Sequence, residues 1–88
     1  MSVSNVEIAA VFEEIADILE LEGANPFRIR AYRNGARVVQ AFAPDITMLL
    51  ASGQTLPKLP GIGDDLAAKI TILYYLDARD ALLKALAV

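Results

Sequence analysis

The stretch Leu59-Pro60-Gly61-Ile62-Gly63, set between helical patterns, constrains this chain more than any other feature. Proline lacks an amide donor and glycine reaches left-handed backbone at little cost, so the stretch stops one helix and makes a tight connection to the next. On its near side, Thr55-Leu56-Pro57-Lys58-Leu59 reads as one short turn of helix with Thr55 as its cap. On its far side, helix resumes at Asp64, itself a candidate N-cap, with Leu66, Ile70, Leu73 and Tyr74 on one face. Ile62, between the glycines, is the side chain that plugs the turn into a core.

The remaining pattern is helical throughout. Ser4 with Glu7 three residues on is a capping-box pattern, and Ile8, Val11, Phe12, Ile15, Ile18 and Leu19 follow the 3.6-residue period up to a stop at Gly23. Asn25-Pro26 reads as the N-cap and first residue of a second helix. Its apolar stripe is Phe27, Ala31, Gly35 and Val38, and Arg30, Arg33 and Arg37 share another face. Gly35 inside this helix costs about 1 kcal/mol against alanine, which close helix packing or close approach of a ligand explains. A third, short helix runs from Pro44–Asp45 to Gly53 with Ile46, Leu49 and Leu50 as its apolar side. An unbroken final helix would put Asp77 and Lys84 in the middle of the Leu66/Ile70 face, a costly burial. The expectation is therefore a break near Leu76–Asp77, with Asp77 capping a last helix that bears Ala78, Ala81, Leu82, Ala85 and Leu86. No alternating segment, repeat or low-complexity linker is present. The fold expected is all-α: one domain over residues 1–88, a compact bundle of four main helices with one glycine hairpin, plus a short C-terminal helix.

Composition excludes several chemistries. With 88 residues the chain is one small domain that buries only about 60% of its unfolded surface. It has no cysteine and no histidine, which removes disulfides, thiolate metal sites and imidazole bases. Its 11 acids and 8 bases give a net charge of −3, so a basic site for nucleic acid must be local. The charges are sorted to allow that. Residues 1–27 carry six acids and no base, and residues 28–44 carry four arginines, Arg28, Arg30, Arg33 and Arg37, and no acid. The acids of the first helix read as a solvated face. The apolar runs are too short to span a membrane, and no basic segment leads into an apolar one as in a secretory signal, so a cytoplasmic protein is expected. Apolar residues reach 56%, above the usual range. Fifteen alanines account for part of this. Ile72, Tyr75 and Leu76 face away from the Leu66/Ile70 stripe; they either pack under the last helix or form an interface to a second copy or another protein.

The hairpin has a chemical use. The amides of Gly61 and Gly63 stand at the start of a helix, where the dipole favours an anion, and such a helix-hairpin-helix clamps a DNA phosphate without reading sequence. At this point the chain resembles the N-terminal domain of family X DNA polymerases, its bacterial branch above all. The resemblance is carried by the amphipathic segment Glu7 to Gly23, by Asn25-Pro-Phe-Arg-Ile-Arg-Ala-Tyr-Arg33, by Ala36-Arg37, and by Leu59-Pro-Gly-Ile-Gly63 followed by Leu66-Ala-Ala-Lys-Ile70. It implies binding of gapped or nicked DNA near a 5′-phosphate, as in DNA repair, through Arg28, Arg30, Tyr32, Arg33, Arg37, Gly61, Ile62 and Gly63. Tyr32 matches the phosphate-pocket tyrosine of the family. The resemblance also implies, for some members, removal of a 5′-deoxyribose phosphate through a lysine Schiff base, and Lys69 matches that lysine. No side-chain metal cluster and no organic cofactor are expected; relatives hold a monovalent cation on hairpin carbonyls, here those of Leu59 and Ile62.

Departures from the family pattern point elsewhere. Asp64 follows the glycine directly, where it repels a phosphate. Phe27 stands where some members have a pocket histidine, and Pro57 and Asp65 replace pocket lysines. A polymerase needs several hundred further residues, so the resemblance leaves an excised domain, a stand-alone relative or an engineered derivative of the fold, and a protein-interaction or self-assembling domain stands as the alternative function.

Overall fold

The computed structural model describes residues 4–86, apart from the side chains at 78, 80–82 and 84–86. Its helices are α1 (Asn5–Leu21), α2 (Pro26–Ala41), α3 (Ile46–Ala51) and α4 (Asp64–Leu86), with no strand among the described residues. Each of the first three starts where a side-chain acceptor satisfies an orphan amide. Ser4 Oγ accepts from the Glu7 amide at 3.2 Å, Asn25 Oδ1 from the Phe27 amide at 2.9 Å, and Asp45 Oδ1 from the Thr47 amide at 2.9 Å. Two helices end alike. Gly23 and Gly53 take φ of +70° and +84°. The Gly23 and Ala24 amides donate back to Glu20 and Leu19, and the Gly53 and Gln54 amides to Leu50 and Leu49, which is the Schellman pattern.

α1 packs along α2. Ile8, Ala9, Phe12, Ala16 and Leu19 meet Tyr32, Ala36 and Val39, and Ile46, Ile62, Leu66 and Ile70 close the core from the later segments. Burying one such side chain as completely as Phe12 or Ile70 contributes about 1.5–3 kcal/mol. Asn5 staples the start of α1 to the approach of α3. Its Nδ2 donates to the carbonyls of Phe42 (3.1 Å) and Pro44 (2.8 Å), and its Oδ1 accepts from the Ile46 amide (3.0 Å).

Several expectations need correction. The buried face of α2 is Tyr32, Gly35, Ala36 and Val39, rotated from the predicted stripe, and Phe27 stands 75% exposed. Tyr32 displaces it because the Tyr32 ring packs edge-on against Phe12, with centroids 5.6 Å apart. Ile18 also lies outside the core. Residues 55–59 form no helical turn. Pro57 and Pro60 bias the residues before them, Leu56 and Leu59, away from helical backbone. The break at Leu76–Asp77 is absent and α4 runs unbroken to Leu86, so there is no separate C-terminal helix. Among the described side chains of α4, Ile70 is the last fully buried one. Beyond it the described side chains are exposed or half-buried, so Asp77 meets no sealed core that a break must spare it. No glycine or proline interrupts residues 71–86 either. The predicted apolar face of a last helix, Ala78, Ala81, Leu82, Ala85 and Leu86, falls on side chains outside the described ones.

Candidate nucleic-acid interface

The hairpin forms as its residue types dictate. The Ile62 amide donates to the Leu59 carbonyl at 3.0 Å, with Pro60 second and Gly61 third in the turn. Gly61 has φ of +86°, so the turn follows the type II pattern that reserves this position for glycine. Ile62 is 8% exposed and packs into the core. A Cβ on Gly61 would meet Val38 Cγ2 at 3.3 Å, which seats the turn against α2. Gly63 occupies the N-cap position of α4, since its carbonyl accepts the Ala67 amide at 3.0 Å. Asp64 is therefore the first helical residue and not the cap. Nothing lies within 4 Å of where a Gly63 Cβ would stand, which leaves its backbone open. The amides of Gly61 and Gly63 donate to no acceptor among the described residues. Lys58, Leu59, Pro60, Gly61, Ile62 and Gly63 line a shallow depression over this turn.

The arginines of α2 divide into different roles. Arg30, Arg33 and Arg37 line one depression, together with Glu20, Pro26, Ile29 and Asn34. Arg33 is committed within the chain. Its Nη1 donates to Glu13 Oε2 at 2.8 Å, and its Nη2 to Asp17 Oδ1 at 3.0 Å and Glu20 Oε2 at 2.8 Å. These contacts hold its guanidinium above its ordinary pKa, Asp17 foremost, with Glu13 and Glu20 adding and burial opposing. The acidic face of α1 is thus a receptor for Arg33 as well as a solvated surface. The spacing of Glu13, Asp17 and Glu20, i, i+4 and i+7, carried that signal. Arg30 lies over the exposed Phe27 ring, 5.7 Å from its centroid, and Arg37 is exposed.

Tyr32 and Lys69 are brought together from α2 and α4. Lys69 Nζ stands 5.7 Å from the centre of the Tyr32 ring and 3.1 Å from Asp65 Oδ1. The amine is held above its ordinary pKa, first by the Tyr32 hydroxyl and then by Asp65, with burial opposing. That hydroxyl is buried, and its geometry closes no hydrogen bond, so it acts on the ammonium by proximity. Arg28 lies one helical turn before Tyr32, on the same side of α2 and exposed. The structure therefore brings Tyr32 and Lys69 together, with Arg28 one turn away on α2, and puts Arg30 and Arg37 in another depression.

Among the described residues no group of three or more carboxylates could hold a metal ion. The Leu59 carbonyl accepts one amide and keeps a second lone pair, so a monovalent cation on the hairpin would be held by backbone oxygen alone. No helix of the described residues is long and apolar enough to cross a membrane.

A proline–glycine turn with open amides that leads into a long helix and packs on an arginine-bearing helix defines a nucleic-acid-binding class of small α-helical domain. The helix-hairpin-helix domain family matches residues 3–74, and the chain belongs to it. Domains of this family generally bind nucleic acid. No curated protein and no solved structure matches the chain.

Proposed function

We propose that the chain binds gapped or nicked DNA next to a 5′-phosphate, without sequence preference, in the manner of the N-terminal domain of family X DNA polymerases. The observation that carries this reading is the Gly61–Gly63 turn. Its two amides donate to no acceptor among the described residues, it sits at the start of a 23-residue helix, and it is seated against α2 by the Val38 contact. The hairpin takes one backbone phosphate. Arg28 and Lys69 take the terminal phosphate, Lys69 as a point charge and Arg28 as a fork, with Tyr32 buried beneath Lys69. Arg30 and Arg37 follow the strand beyond it. Arg33 holds α2 to α1 and so orients its neighbours. A monovalent cation on the Leu59 and Ile62 carbonyls would add positive charge at the hairpin.

A lyase role for Lys69 is less well supported. A Schiff base needs the neutral amine, and both Tyr32 and Asp65 favour the charged form.

Fluorescence anisotropy with gapped DNA, 5′-phosphorylated and not, tests the binding. With about four phosphate contacts, log K falls with log salt at a slope of about −4. The phosphorylated gap should bind more tightly. Absence of binding at ~20 mM salt, where screening is weak, would overturn the reading.

A further inference from the structure

We propose that α4 pairs antiparallel with α4 of a second copy of this chain through a seam of Ile72, Leu76, Arg79 and Leu83. Ile72, Leu76 and Leu83 are 56%, 57% and 53% exposed, and Tyr75, at the seam's margin, is 66% exposed. Because α4 is unbroken, no final helix folds back over them. Their spacings of four, three and four residues are those of a coiled-coil seam. Arg79, also exposed, occupies the third position.

Charge selects the occupant and its direction. Parallel pairing would set Arg79 against Arg79 and is opposed by like-charge repulsion. An antiparallel pair with its two-fold axis between residues 77 and 78 sets Ile72 opposite Leu83 and Leu76 opposite Arg79. The Arg79 stem then covers apolar surface while its guanidinium comes beside the second copy's Tyr75 ring and Asp77 carboxylate. One self-complementary patch suffices for this closed arrangement. The exposed part of the four apolar side chains amounts to roughly 400 Å² per copy, within the range of patches that carry function on small proteins. With the Arg79 stem and margins, the pair comes near the lower bound of about 1,200 Å² for a specific interface. None of the seam residues belongs to the hairpin or to α2, so the dimer carries two hairpins, each free for DNA.

Sedimentation equilibrium at ~100 μM, well above a micromolar dissociation constant, should give a dimer, and a monomer there would overturn the proposal. Leu76→Glu and Leu83→Glu should each give a monomer that melts as the parent does when diluted to its monomer, since both positions are exposed in the single copy. A parent dimer that survives both substitutions would place the interface elsewhere and overturn it too. Direction is read separately, because the chain has no cysteine of its own. Ile72→Cys and Leu83→Cys variants, mixed and oxidised, should give the mixed disulfide dimer, with neither variant cross-linking well alone. Efficient cross-linking of each alone would show parallel pairing and overturn the register. DNA binding measured on the Leu76→Glu monomer keeps the two readings apart, because loss of the dimer leaves each hairpin intact.

Discussion

Leu66 Cδ2 occupies the space that a side chain on Gly35 would need, with Ile62 Cδ1 and Phe12 Cδ2 each 3.4 Å from the same point. The glycine in the middle of α2 is thus explained by close helix packing, and α4 and the hairpin reach the core through it. Gly35→Ala sets two effects against each other. Helix propensity gains about 1 kcal/mol, while overpacking costs about 1–3 kcal/mol. The net expectation is destabilisation of about 1 kcal/mol by urea unfolding. In a Leu66→Ala background the obstruction is gone, so the same substitution should stabilise by up to about 1 kcal/mol. Failure of the sign to reverse would mean that Leu66 is not the obstructing group.

Arg33 and Arg37 are one turn apart on α2 and should respond differently to removal. Arg33→Ala leaves Glu13, Asp17 and Glu20 facing one another without their common partner. The melting temperature should fall, and fall further at ~10 mM salt than at ~500 mM, because the released repulsion is screened. Arg37→Ala should leave the melt nearly unchanged. It should weaken DNA binding and reduce the salt slope by about 1, as loss of one phosphate contact requires. An Arg33→Ala melt insensitive to salt would show that the acidic cluster carries no strain.

The helix starts and stops were legible in the sequence because each is a local device. Ser4, Asn25 and Asp45 cap through their own side chains, and Gly23 and Gly53 end helices through positive φ. The Ile62 plug was legible for the same reason. The misses are tertiary. Nothing within α2 states that its seventh residue, Tyr32, is core and its second, Phe27, is not; that follows from Phe12 on another helix. The predicted break at Asp77 assumed that the core extends the length of α4, whereas among the described side chains Ile70 is the last buried one. Arg33 looked like the centre of a basic patch because the acids that engage it lie 13 to 20 residues earlier. The Asn5 staple reaches 41 residues ahead to the Ile46 amide, and no local pattern announces it.

The raised pKa of Lys69 has a definite consequence at high pH. Its folded value lies above the unfolded value of about 10.4. Its contribution to stability is therefore complete below that pH and is lost as pH rises through the folded value. Melting curves from pH 8 to 11.5 should show a decline in the parent that is shallower in Lys69→Met, which has no amine to neutralise. The difference between the two proteins is the quantity to read. The same elevation predicts little or no borohydride-trapped adduct with abasic DNA at neutral pH. Efficient trapping that Lys69→Ala abolishes would instead establish the lyase.

Asp64 stands first in α4, directly after the open Gly63 backbone, and not at the cap as its residue type suggested. That position changes what Asp64→Lys should do. No side-chain cap is lost, so the cost is only the exchange of a favourable for an unfavourable charge at the helix start, about 0.3–1 kcal/mol for each. At the phosphate the same exchange removes a repulsion and adds an attraction. Affinity for the 5′-phosphorylated gap should rise several-fold at low salt and the salt slope should steepen by about 1, while the melting temperature drops by a few degrees. Asp64→Asn separates the two contributions, since it removes the repulsion without supplying a cation. It should raise affinity by a smaller factor with little change in slope. If neither variant changes affinity, the Gly61–Gly63 turn does not meet a phosphate, and binding must rest on Lys69 and the α2 arginines.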